Sequence, residues 1–257
     1  MVLVARRGDR LESLRDELGA ANVEVLVADL ASLDDLERVA ARMADDDEPI
    51  DLLVNNAGFS SFGQFWELPV ADARGQIDVN VGALVRLSHA AAARMTAVGR
   101  GTILNISSIA GNQPGPGNSV YNATKAFVTN FSEGLALELR GTGVHVTASC
   151  PGLTYSEFHT VAGLTDSRAE RVAFMWMPAA DVARDALDAA ARGTVVRVNG
   201  WRNRAIALGM RALPRTVARG LVVPVRARTQ PDPTSGRRRQ PWSVRRVSRS
   251  FRDDGGR

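Results

Sequence analysis

Three side chains in this sequence are suited to moving a proton onto or off a small oxygen-bearing molecule: Ser108, Tyr121 and Lys125. Tyr121 and Lys125 bracket the phrase Tyr121-Asn122-Ala123-Thr124-Lys125. At that spacing a helix places them on one face, one turn apart. A phenol with an ordinary pKa of about 10 is a poor acid or base at neutral pH, and a nearby ammonium is expected to lower it. A hydroxyl from Ser108, thirteen residues upstream, can hold the oxygen that gains or loses the proton. An alcohol–carbonyl interconversion needs those three groups. The same spacing also suits an ordinary surface pair, and composition argues against that. The chain has 31 Arg but one Lys, Lys125, and its only Tyr are Tyr121 and Tyr155. Lys is a compact point charge where Arg is a wide fork, so a lone Lys marks work that Arg cannot do.

The elements that must position these groups follow from hydrophobic periodicity. Short apolar runs at Val2–Ala5, Val23–Val27, Ile50–Val54, Thr102–Ser107, Val144–Ser149 and Val195–Val198 are predicted strands. Between them lie predicted helices over 9–18, 33–43, 69–79, 81–98, 121–140 and 179–192. Strands alternating with helices of this length predict an α/β fold with a doubly wound parallel sheet. Ligands of such sheets sit at the carboxyl ends of the strands. Arg6, Asp29, Asn56, Ser108 and Pro151-Gly152 all fall just after predicted strands.

Composition excludes several alternatives. A length of 257 residues with 45% hydrophobic content suits one large α/β domain or two small ones. One cysteine, Cys150, allows no internal disulfide, and the expected compartment is the cytoplasm. No apolar run is long enough for a membrane span. His89, His145, His159 and Cys150 lack ligand spacing, so no metal site is expected. The net charge of +4 belongs to the tail, where Arg228–Arg257 carries nine Arg against three Asp. That placement argues against a specific nucleic-acid-binding domain.

Five phrases together resemble the short-chain dehydrogenase/reductase family: Asn55-Asn56-Ala57-Gly58, Asp78-Val79-Asn80-Val81-Gly82, Asn105-Ile106-Ser107-Ser108, Tyr121-x-x-x-Lys125 and Cys150-Pro151-Gly152. The resemblance covers residues 1 to about 200. It implies a Rossmann-like fold and an NAD(P)-dependent oxidoreductase acting on a secondary alcohol or ketone, with a small carbonyl or alcohol as substrate. Carried over, Tyr121 is the general acid/base, Lys125 lowers its pKa and holds the nicotinamide ribose, and Ser108 positions the carbonyl. Asn80 supports a water-linked proton path. Asp29 contacts the adenine, Asn56, Ala57 and Gly58 line the cofactor, and Pro151, Gly152 and Thr154 flank the nicotinamide. Arg6 resembles the residue that accepts a ribose 2′-phosphate, which favours NADP over NAD. Homo-oligomers, formed through the helices over 84–98 and 121–140, are implied as well.

The sequence departs from the family at its start, where Met1-Val2-Leu3-Val4 resembles the family's second strand. The first strand, the Gly-rich phosphate turn and its helix have no counterpart. That turn holds pyrophosphate with backbone N–H groups. The expectation is therefore two half-sheets with unpaired inner edges, each lost buried hydrogen bond costing about 1–3 kcal/mol, and weak NADP(H) binding. A start site further upstream accounts for the gap. The alternative is a non-catalytic relative that binds a partner or a membrane surface.

Three regions are expected: a Rossmann-like domain over 1–200, an amphipathic helical extension over 201–228 and a disordered basic tail over 229–257. The extension holds seven Arg and no acid, interleaved with apolar residues. It suits peripheral contact with a membrane, or packing beside the cleft with its Arg outside. The segment Leu153–Met177, with Tyr155, Phe158, His159, Phe174 and Trp176, is expected to lie over the substrate; its apolar character suits an apolar substrate or plain core packing.

Overall fold

The computed structural model describes residues 1–19, 23–156, 176–212, 216, 217 and 220. The elements run β1 (Val2–Ala5), α1 (Gly8–Glu17), β2 (Glu24–Val27), α2 (Leu33–Met43), β3 (Leu52–Asn55), α3 (Val70–Ile77), α4 (Leu84–Val98), β4 (Gly101–Ile106), α5 (Ser119–Glu138), β5 (Val144–Cys150), β6 (Thr154–Tyr155), β7 (Met177–Pro178), α6 (Ala179–Ala191), β8 (Val196–Val198) and α7 (Trp201–Ala212). All strand pairs are parallel. The predicted Rossmann-like α/β fold is therefore present.

The main sheet has the order β3-β4-β5-β8, and β1-β2 form a separate pair. Among the described residues β1 bonds only to β2 and β3 only to β4, so the expected seam lies between β1 and β3. The halves are joined through packing. Val4, Leu26 and Leu53 sit on one hydrophobic core with Val39 and Ala40 of α2, Leu87 and Ala91 of α4, and Ile103 and Val146 of the main sheet. Helix α2 packs on α4, and Arg86 holds Glu37 through two hydrogen bonds of 2.7 and 2.6 Å. The opposite face of β4 turns Leu104 toward Ala186 and Ala190 of α6. Strand β4 is thus covered on both faces, as parallel sheets require.

One prediction is corrected. The sequence reads as two helices broken near Asn80, but the chain stays helical from Val70 to Val98. Residues Asp78–Ala83 form a wider π turn between α3 and α4. Periodicity cannot show such a turn, since it adds one residue without breaking the apolar stripe. Helix α7 forms the start of the 201–228 segment. Asn203 and Ala207 of α7 are buried, and Arg204 donates to the Val198 carbonyl at 3.0 Å. The remainder of 201–228, apart from Thr216, Val217 and Gly220, lies outside the described residues, as do the tail and positions 157–175 with Phe158, His159 and Phe174.

Candidate active site

Ser108 leaves the carboxyl end of β4 and caps a single 3-10 turn, Ile109–Asn112, accepting from the Ala110 amide at 3.1 Å. That turn packs on α5, which carries Tyr121 and Lys125. Gly111 permits the approach: a Cβ there would lie 2.7 Å from the backbone of Lys125 and Ala126. Ser107 fixes the other side by donating to the Lys125 carbonyl at 2.8 Å. Ser108, Tyr121 and Lys125 are all buried. The Tyr121 hydroxyl is hydrogen-bonded with Ser108. The Lys125 ammonium donates to the Ile106 carbonyl at 2.7 Å and lies 5.7 Å from the centre of the Tyr121 ring.

The electrostatics correct one expectation. Burial pushes the Tyr121 phenol up to about 12, and the hydrogen bond with Ser108 opposes this. Burial lowers the Lys125 ammonium to about 8, opposed by Cys150. Removal from water sets the direction for both groups. The site therefore holds a protonated phenol at neutral pH.

Asn80 is held by three hydrogen bonds. Its Oδ1 accepts from the Phe59 amide at 3.0 Å, and its Nδ2 donates to the Phe59 carbonyl at 3.0 Å and to Thr124 Oγ1 at 3.2 Å. Its side chain thus pins the loop after β3 to α5. Gly58 lies between: a Cβ there would meet Asn80 Oδ1 at 3.0 Å and Lys125 Nζ at 3.6 Å.

The predicted cofactor contacts follow the carboxyl ends of the strands. Arg6 follows β1 and Asp29 follows β2, and the two form an exposed ion pair at 4.0 Å. Asn56, Ala57 and Gly58 follow β3. Pro151 and Gly152 follow β5, with the Pro151 carbonyl accepting from the Ile109 amide at 3.0 Å. Thr154 Oγ1 donates to the Gly152 carbonyl at 3.2 Å. Tyr155 stacks on Trp176 with ring centres 4.9 Å apart. Among the described residues no three His, Cys, Asp or Glu gather to hold a metal ion.

Sequence reasoning missed two supporting sets. A buried amide chain runs from Asn55 to Asn105 Oδ1 at 2.9 Å and from Asn105 to Ser132 at 2.9 Å, tying β3 and β4 to α5. Asn203 of α7, 2% exposed, packs on Gly152, where a Cβ would meet its amide at 2.5 Å. The paired Asn in the quoted phrases signalled the first set; no local pattern signalled the second.

Residues 1–165 match the family described as short chain dehydrogenase. The chain belongs to the short-chain dehydrogenase family. It is 40% identical over 164 residues to sulfoacetaldehyde reductase of Chromohalobacter salexigens, covering 63% of this chain and 65% of that protein. It is 39% identical over 163 residues to an NADP-dependent 3-hydroxy acid dehydrogenase of Salmonella typhi, with the same coverage of 63% and 65%. The chain thus spans about 65% of the length of these curated relatives. Among solved structures, a short-chain dehydrogenase from Sphingobium yanoikuyae in complex with NADPH aligns with a TM-score of 0.71 at 35% identity, covering 90% of this chain and 88% of that one. A bulky-bulky ketone specific alcohol dehydrogenase from Comamonas testosteroni aligns with a TM-score of 0.68 at 30% identity, covering 86% and 83%. This short-chain dehydrogenase brings Ser108, Tyr121 and Lys125 together at the carboxyl end of a sheet from which the β1-β2 pair stands apart.

Proposed function

We propose that this chain is an NADP-dependent oxidoreductase interconverting a secondary alcohol and a ketone of apolar character. The observation that carries the reading is the buried Tyr121 phenol, hydrogen-bonded with Ser108 and overhung by the ammonium of the chain's one lysine, Lys125. The residues fit a dinucleotide. Gly58 leaves a space that a Cβ would fill beside Lys125, and Arg6 presents an exposed guanidinium suited to a phosphate. NADPH, when bound, supplies the hydride for the carbonyl carbon. Lys125 and Gly58 would hold its ribose end, Arg6 its 2′-phosphate, and Pro151, Gly152 and Thr154 the nicotinamide side.

The proton chemistry is the protein's own. Ser108 holds the carbonyl oxygen, and Tyr121 Oη delivers the proton as that oxygen becomes an alkoxide. Lys125 then stabilises the phenolate left behind. A phenol pushed up to about 12 starts protonated, which suits the reducing direction. Asn80 supports the set by fixing α5 against the loop at Phe59. The NADPH-bound and NADP-dependent relatives support the cofactor, and the ketone-specific neighbour supports the substrate class. Exposed Phe127 and Leu137 on α5 support self-association through that helix. In a ketone-dependent NADPH oxidation assay, Tyr121→Phe is expected to lower turnover by about 10²–10⁴-fold with the fold retained. Undiminished turnover would overturn the proton-donor role.

A second reading is favoured by the seam between β1 and β3. It is a non-catalytic relative that binds a partner or a membrane surface. The exposed Trp201 and Leu208 on α7 support the membrane form. Absence of ketone reduction by the wild-type chain at saturating NADPH, together with flotation on anionic liposomes, would favour it.

A further inference from the structure

We propose that a cavity beside the start of α5 binds a small, neutral, ring-bearing molecule that donates one hydrogen bond. The cavity encloses about 230 Å³ between the loop over 61–69, α3 and the residues leading into Tyr121. Sites for drug-sized ligands run to roughly 300–1,000 Å³, so this space suits a single ring. Among the described residues no charged side chain lines it. An ionic ligand would lose its water there without gaining a counter-charge.

The apolar part of the site is its mouth. Phe65, Trp66 and Val70 line it and are 58%, 77% and 81% exposed. Large apolar side chains gathered at one concave spot mark a binding surface, and aromatic rims pair well with a ring. The polar part is Gln76, which is 2% exposed and lines the same cavity. Its Nε2 makes two long hydrogen bonds, to Ser61 Oγ at 3.3 Å and the Asp72 carbonyl at 3.4 Å. Among the described residues its Oε1 has no hydrogen-bond partner. A loosely held amide with an unused acceptor can turn to meet a donor on the ligand.

The walls are already in place. The Gly63 amide donates to the Gly117 carbonyl at 3.0 Å, and Ser60 donates to Asn118 at 2.8 Å, so the loop is stitched to the start of α5. Neither Ser108, Tyr121 nor Lys125 lines the cavity. The site is therefore separate from the proton-transfer group, and its existence does not depend on the oxidoreductase reading.

The test is a fluorine NMR titration of the full chain with 4-fluorophenol, which donates a hydrogen bond, and 4-fluoroanisole, which does not. Saturable binding of the phenol is expected, about tenfold tighter than the anisole, the ratio one hydrogen bond supplies. Gln76→Leu is expected to erase that ratio. Trp66→Ala, on the exposed rim where the fold is indifferent to it, is expected to weaken both probes. No saturable binding to the wild type, or binding unchanged in Trp66→Ala, would overturn the proposal.

Discussion

The β1-β2 pair and the main sheet β3-β4-β5-β8 are built from similar short apolar strands, yet they meet different surroundings. Strand β4 is sandwiched, with Ile103 and Leu104 almost wholly buried on opposite faces. Strand β1 is only partly buried along its length, and Val27 at the end of β2 is 46% exposed. The same division appears among the candidate site residues. Ser108, Tyr121, Lys125 and Asn80 are enclosed and bonded on the main sheet's side, while Arg6 and Asp29 stand in solvent beyond the seam. The half with Ser108 and Tyr121 is thus held by its own hydrogen bonds, and the β1-β2 half is joined to it by the packing of α2 on α4 and the Arg86–Glu37 pair.

Four measurements sharpen or break that contrast. The largest effect is expected at Ile103. Ile103→Ala should lower unfolding free energy by about 2–5 kcal/mol. Val4→Ala, on the partly buried strand, should cost under about 1.5 kcal/mol. Equal losses in chemical denaturation would show the two halves to be one cooperative core. Next comes Asn105→Ala, which takes one hydrogen bond each from the Asn55 amide and the Ser132 hydroxyl and leaves them only Ser88 and the Val128 carbonyl. A loss of about 1–3 kcal/mol is expected, with slower turnover because α5 loses an anchor. A neutral result would mean that water replaces the missing amide.

Lys125 gives a pH signature. Its folded pKa of about 8 lies below the ordinary 10.5, so the unfolded chain binds more protons in that window. Stability should rise with pH from about 8 to 10.5, and the rise should vanish in Lys125→Met. An unchanged profile in that variant would sink the assignment. The smallest effect belongs to Glu37, whose carboxyl is held below its usual range by the Arg86 hydrogen bond. Its contribution should be present above the ordinary Glu pKa and be lost as pH falls through the lowered folded value. Glu37→Gln should remove that acid-side slope, and salt should weaken it in the parent.

Much of the candidate site was legible because it is local. Tyr121 and Lys125 lie one helical turn apart, and Ser108 follows a recognisable strand. The alternation of strands and helices likewise announced the parallel sheet. What was hidden depends on distance. Asn80 finds its partners 21 and 44 residues away, so its bracing of Phe59 and Thr124 left no local pattern. The direction of the Tyr121 pKa depends on how much water burial removes, which no i,i+4 spacing reports. Arg6 and Asp29 were read as separate ligand contacts, and their pairing needs β1 and β2 side by side.

The π turn at Asp78–Ala83 works as a slack loop in the winding. An α-helix advances about 100° per residue, and the wide turn takes up one residue more than a regular turn holds, so excising one position there other than Asn80 would restore ordinary winding with the downstream face still in phase. Leu87, Ala91 and Met95 would keep facing α2 and the sheet, and Arg86 would keep Glu37. A one-codon deletion in this stretch should therefore be far more forgivable than one inside α4, which would swing those side chains away.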